Sequence, residues 1–105
     1  MGRIVIACYK PKSGKSEALL ELVKNHVDAL RKENLVTDRN PIIFKSESET
    51  IIEVFEWKSK EAIDQAHANP KVMEIWEAFS EVCDYEIPVN MKEFQNIFSE
   101  FEPIN

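Results

Sequence analysis

The chain opens with a run in which apolar side chains occupy both alternating sets of positions. Ile4, Ile6 and Cys8 form one set, and Val5, Ala7 and Tyr9 the other. β-Branched and aromatic residues at this density predict a strand over 3–9, and its two apolar sides predict that both faces are covered. Pro11 and Gly14 mark a turn. From 15 to 33 the period changes. Ala18, Leu19, Leu22, Val23, His26, Val27 and Leu30 recur at helical spacing, with Glu17, Glu21, Lys24, Asp28 and Lys32 on the opposite side, which predicts an amphipathic helix. Residues 34–41 read as a polar connector. Residues 42–46 and 50–57 read as two strands, with the polar Glu47-Ser48-Glu49 suited to the hairpin turn between them.

Ser59 is a good N-cap for a helix beginning at Lys60, which should stop near Ala68. Asn69-Pro70 then restarts it, with Asn69 as N-cap and Pro70 at the first helical position. Val72, Met73, Ile75, Trp76, Phe79, Val82 and Cys83 form the apolar side of this second piece. Tyr85, Ile87 and Val89 alternate, so 84–90 reads as the last strand. Residues 91–105 form a tail with Phe94, Ile97, Phe98 and Phe101 at helical spacing, too apolar to hang free in water.

The order β-α-β-β-α-β predicts an α+β fold of the ferredoxin-like, split βαβ type: a four-stranded antiparallel sheet with both helices on one face. Residues 1–90 make the domain, and the tail is expected to pack on it or on a second copy. Strand 3–9 leaves an apolar face on the side away from the helices. A symmetric partner presenting its own sheet would cover it, so a homodimer through the sheet face is expected.

Charge narrows the partners. Nineteen acidic and thirteen basic side chains give a formal net charge of -6, against nucleic acid and against an anionic membrane surface as partners. The N-terminus lacks the long apolar stretch of a secretory signal, and Ile6 stands where a myristoylation site wants Ser or Thr. Cys8 and Cys83 are then expected to be buried thiols in a reducing cytoplasm.

Few residues carry chemistry. Glu53 is unusual between Ile51 and Phe55 in an otherwise apolar strand, and a buried carboxylate needs a partner. Two roles are open to it: a pair with Lys or Arg across the dimer, or service to a pocket. His67, one helical turn after Ile63 and near the Asn69-Pro70 break, is the candidate proton-transfer group. Trp57, Trp76, Tyr9 and Phe79 are candidate walls for a flat ligand, although core packing is the commoner role for such tryptophans. His26 reads as a packed histidine at the edge of the core. Ser13-Gly14-Lys15-Ser16 ends like a phosphate-binding loop, but Tyr9 occupies the position of its first glycine. No spacing of His and Cys suits a metal, and no cofactor is expected.

The run Trp57-Lys58-Ser59-Lys60-Glu61-Ala62, followed by His67, Asn69-Pro70 and Trp76-Glu77-Ala78-Phe79, resembles the second half of antibiotic biosynthesis monooxygenase-like (ABM) domains, members of the dimeric α/β-barrel superfamily. The resemblance covers roughly residues 3–90. It implies sheet-to-sheet dimers with a pocket between sheet and helices in each subunit. In some members it implies a cofactor-independent monooxygenase that oxidises phenolic or quinol-like molecules. The haem-degrading branch carries an Asn, a Trp and a His that fall on Ala7 or Cys8, near Ala66 and near Trp76, and none matches. Two functions are therefore expected to compete: a monooxygenase-like enzyme acting on a small, flat, mostly apolar molecule, and a non-catalytic ligand-binding or dimerisation module on the same fold.

Overall fold

The doubly apolar N-terminal run becomes the central strand β1 (Arg3–Pro11) of the sheet. In the computed structural model, which describes residues 1–105, β1 lies between β3 (Ile51–Trp57) and β4 (Cys83–Glu86). β2 (Ile42–Lys45) follows beyond β3. The two-residue β5 (Glu102–Pro103) closes that edge, giving the order β4-β1-β3-β2-β5 with every neighbour antiparallel. Helix α1 (Ser16–Lys32) connects β1 to the β2–β3 hairpin. Helices α2 (Lys60–Ala66) and α3 (Pro70–Val82) connect β3 to β4.

The sheet thus has five strands where four were expected. The fifth comes from the tail. The Ile104 N–H donates to the Ile43 carbonyl at 2.9 Å, and the Asn105 side chain accepts from the Ile43 N–H at 2.9 Å and donates to the Pro41 carbonyl at 2.8 Å. An edge strand with open backbone groups recruits such a partner.

The helix breaks fall where the capping residues stand. Ser59 Oγ accepts from the Ala62 N–H at 3.1 Å, and Asn69 Oδ1 accepts from the N–H groups of Lys71 and Val72 at 2.9 and 3.3 Å. Each cap satisfies amide donors that the first helical turn leaves without partners. Helix α1 has no side-chain cap; its start follows a turn at Gly14, whose φ of +73° suits a residue without Cβ.

β4 stops at Glu86, short of the expected 84–90, and the register explains why. The Lys12 N–H bonds the Val82 carbonyl, which makes Lys12–Val82 a hydrogen-bonded pair. Such pairs recur every second residue along an antiparallel ladder. Continuing the Cys8–Glu86 register would place Pro88 in a bonded pair with Ile6, and proline has no N–H to give. The chain turns instead into a 3-10 segment at Pro88–Asn90. The Arg3–Ala7 half of β1 keeps β3 as its one neighbour in the sheet.

Side chains divide cleanly between the two faces. Ile51, Glu53, Phe55 and Trp57 of β3 and Tyr9 of β1 are buried towards the helices, against the stripe Leu19, Val23, His26, Val27 and Leu30 of α1. On the other face Met91 is buried against Cys8 and Ile52, and Phe101 stacks between Phe44 (4.7 Å) and Phe94 (5.2 Å). Two short 3-10 turns and β5 gather Phe94 and Phe101, in place of the helix the spacing suggested, while Ile97 and Phe98, expected to pack, stay exposed on the bend between them. The tail covers only part of this face: Ile4, Ile6 and Ile42 remain 59%, 50% and 60% exposed. No helix is long and apolar enough to cross a membrane.

Candidate functional site

A cavity of about 410 Å³ lies between the sheet and the helices, within the size range of small-molecule sites. β1 contributes Val5, Ala7 and Tyr9 to its floor, and β3 contributes Phe55 and Trp57. Trp76 and Phe79 of α3 form the roof, Tyr85 of β4 stands exposed at its rim, and His26 of α1 is the one lining side chain with a titratable nitrogen. The alternation of β1 and β3 produces this arrangement. Val5 pairs with Phe55 and Tyr9 with Tyr85, so cross-strand partners place their side chains on the same face.

A buried polar chain runs beside the cavity. Glu53 is fully buried, and its Oε1 accepts from the Tyr9 hydroxyl at 2.8 Å and from His26 Nδ1 at 2.9 Å. Its Oε2 has no partner within the chain. The other imidazole nitrogen, Nε2, accepts from the Trp76 indole N–H at 3.4 Å. An acceptor role for Nε2 and a carboxylate at Nδ1 together assign the proton to Nδ1. The ring is held laterally by Phe55 (5.5 Å, edge-on) and Phe79 (5.0 Å, edge-on). Burial among apolar groups, then the Glu53 charge and the hydrogen bond to it, push the Tyr9 phenol far above its ordinary range. Burial raises the two free thiols, Cys8 and Cys83, the latter to about 11, and partial desolvation at the rim raises Tyr85.

Chemically, this is an imidazole oriented by a carboxylate at one nitrogen, with its other nitrogen at an apolar cavity. The carboxylate fixes ring and tautomer, and Nε2, once free of the Trp76 N–H, has the lone pair needed to accept a proton or a hydrogen bond. No group of three or more His, Cys, Asp or Glu stands close enough together to hold a metal ion.

The structure brings Tyr9, Trp57, Trp76 and Phe79 to the cavity, with Glu53 behind them. The partner of Glu53 is neither Lys nor Arg. Its strand position turns it under α1, where Tyr9 and His26 are the polar groups in reach. His67 does not line the cavity. It caps α2 at its C-terminus, is exposed, and packs edge-on against Trp76 at 5.0 Å. The imidazole at the cavity is that of His26, which sequence reasoning had placed as core packing. One signal was available: a carboxylate alone in an apolar strand and a histidine alone on an apolar helix stripe, facing the same core. Tyr85 and Phe55 were also missed, because which strand residues border a void depends on how the helices sit.

No family model and no curated protein matches this chain. Solved structures do. A conserved protein from Methanosarcina mazei Go1 is 23% identical, with 82% of this chain and 85% of that one covered, at a TM-score of 0.64. Rv0793 from Mycobacterium tuberculosis is 17% identical, with 88% and 99% covered, at 0.63. SO0527 from Shewanella oneidensis is 18% identical, with 80% and 88% covered, at 0.58. At these identities, what the chain shares with the three is its α+β fold.

Proposed function

We propose that this protein is a cofactor-independent, monooxygenase-like enzyme acting on a small, flat, mostly apolar molecule, with His26 as general base and Glu53 as the group that orients it. The observation that carries the reading is the Glu53–His26 pair, buried at 2.9 Å beside an aromatic-lined cavity. For a phenol the chemistry balances with dioxygen as oxidant. His26 Nε2 takes the hydroxyl proton, and the electron-rich ring carbon opposite forms a bond to oxygen. The O–O bond breaks, and the distal oxygen leaves as water with the ring hydrogen and the hydroxyl proton. The products are a quinone and water. Apolar walls favour this by excluding water from the anion's surroundings.

A homodimer through the outer sheet face belongs to the same proposal. Ile4, Ile6 and Ile42 are exposed there beside the tail, and on a 105-residue chain an apolar surface of this kind gains stability from a second copy. A non-catalytic ligand-binding module is the second reading, favoured by one observation: the Trp76 N–H already occupies the base nitrogen.

The test is to incubate the protein with 1-naphthol in air, without added metal or flavin, following dioxygen uptake and quinone absorbance. The proposal expects uptake and quinone in equal amounts, lost in His26→Ala and Glu53→Ala. Binding without uptake selects the second reading, and absence of binding by a panel of naphthols overturns both.

A further inference from the structure

Every donor at the inner end of the cavity is already engaged. The Tyr9 hydroxyl and His26 Nδ1–H both point to Glu53 Oε1, and the Trp76 indole N–H points to His26 Nε2. What this end holds for a ligand is therefore acceptors. No Lys or Arg lines the cavity, so an anionic ligand would find no counter-charge and would approach the buried Glu53.

The three engaged donors are not equally fixed. Tyr9 and His26 are 3% exposed and hold their bonds at 2.8 and 2.9 Å. Trp76 is half-buried, and its bond to Nε2, at 3.4 Å, lies beyond the usual range of a well-formed N–H hydrogen bond. The indole packs edge-on against the exposed His67 ring at 5.0 Å and stands perpendicular to Trp57 of the cavity floor at 6.5 Å. Its outward neighbour is thus an exposed side chain, and the Glu53–His26 bond does not depend on the indole.

We propose that the Trp76 N–H stands in for a ligand's own donor. A neutral ligand bearing an O–H or N–H replaces it on His26 Nε2, and Trp76 is thereby the residue that sets the site's choice between donor-bearing and donor-free molecules. The inference rests on the reading that the cavity takes a small molecule, and it holds whether or not chemistry follows. In the free protein the indole satisfies a buried acceptor that would otherwise be costly to leave bare. A donor-free ligand of the same shape leaves the indole in place. Removing the indole N–H leaves Nε2 bare, so only the donor-bearing ligand repairs it.

The experiment compares 2-naphthol with 2-methylnaphthalene, which differ by a hydroxyl and a methyl of similar size, on the wild type and on Trp76→Phe. Affinities are read by titration calorimetry, and the ¹H–¹⁵N resonance of the Trp76 indole is followed in the wild type. The inference expects 2-naphthol, and not 2-methylnaphthalene, to shift that resonance. It expects Trp76→Phe to raise the preference for 2-naphthol by about tenfold, the cost of leaving a buried acceptor unpaired. A larger cavity alone would strengthen both ligands equally. An unmoved indole resonance at saturating 2-naphthol, or an unchanged preference in the variant, overturns the inference while leaving the binding reading intact. If neither compound binds the wild type, the binding reading falls and takes the inference with it.

Discussion

Replacing Tyr9 by Phe isolates one bond of the buried chain and gives it a pH signature. The ring keeps its contacts with Phe79 (5.0 Å) and Tyr85 (5.8 Å), while Glu53 Oε1 loses a donor at 2.8 Å and keeps His26. A hydrogen bond to a buried carboxylate contributes about 1.5–3 kcal/mol. A loss near 2 kcal/mol corresponds to roughly 10 °C of Tm for a domain of this size. The phenol adds a second effect. Its ionisation is pushed upward in the folded state by burial and by Glu53, from an ordinary value of 10.0. A group with a raised folded pKa contributes its full stability below the unfolded value and loses it as pH rises past that value. At pH 11 the unfolded wild type releases the Tyr9 proton and the folded protein retains it, which costs the wild type about 1.4 kcal/mol that the Phe variant does not lose. Cys8, Cys83 and Tyr85 are also raised, but they are common to both proteins and cancel in the difference. The gap between wild type and variant should therefore be about 2 kcal/mol at pH 7 and shrink by most of that at pH 11. Urea denaturation followed by circular dichroism, with a reductant present, measures it at both pH values. A gap that is the same at pH 7 and pH 11, or one below about 0.5 kcal/mol at pH 7, would refute the assignment of the Tyr9 hydroxyl to Glu53.

Three further outcomes follow from other parts of the fold. Deleting residues 91–105 uncovers Cys8, Ile52 and Phe44 and removes the β5 pairing, so the melting temperature should fall by more than the roughly 4–8 °C that 1 kcal/mol represents; an unchanged thermal scan would show the tail contributes nothing. Light scattering at micromolar concentration should give about twice the 12.2 kDa chain mass, and Ile6→Lys, on the exposed half of the outer face, should return it to the monomer value; a wild-type monomer would end the dimer proposal. His67→Ala should cost at most about 1 kcal/mol and leave naphthol binding within a factor of about two, because it touches only the outer side of Trp76; complete loss of binding would return His67 to the site.

Local chemistry was legible in the sequence wherever neighbouring residues decide the outcome. Ser59 and Asn69-Pro70 mark the helix starts because a cap bonds amides two or three positions ahead, and the shift from strand to helical periodicity at α1 reports which side of each element meets the core. The apolar character of both sides of β1 was visible, as was the oddity of Glu53 in β3. What the tertiary structure alone decided depends on residues distant in sequence. Whether β4 runs on past Glu86 depends on the register against β1, which turns Pro88 into a missing donor. Whether the tail is a helix depends on the open edge of β2 and the uncovered face beside Cys8 and Ile52. Which histidine lines the cavity depends on a 2.9 Å approach between residues 27 positions apart, while His67, beside the same tryptophan, lies outside it. Periodicity places a side chain on a face. The partner it meets there is set by the packing of one element on another, and for Glu53 that packing chose Tyr9 and His26.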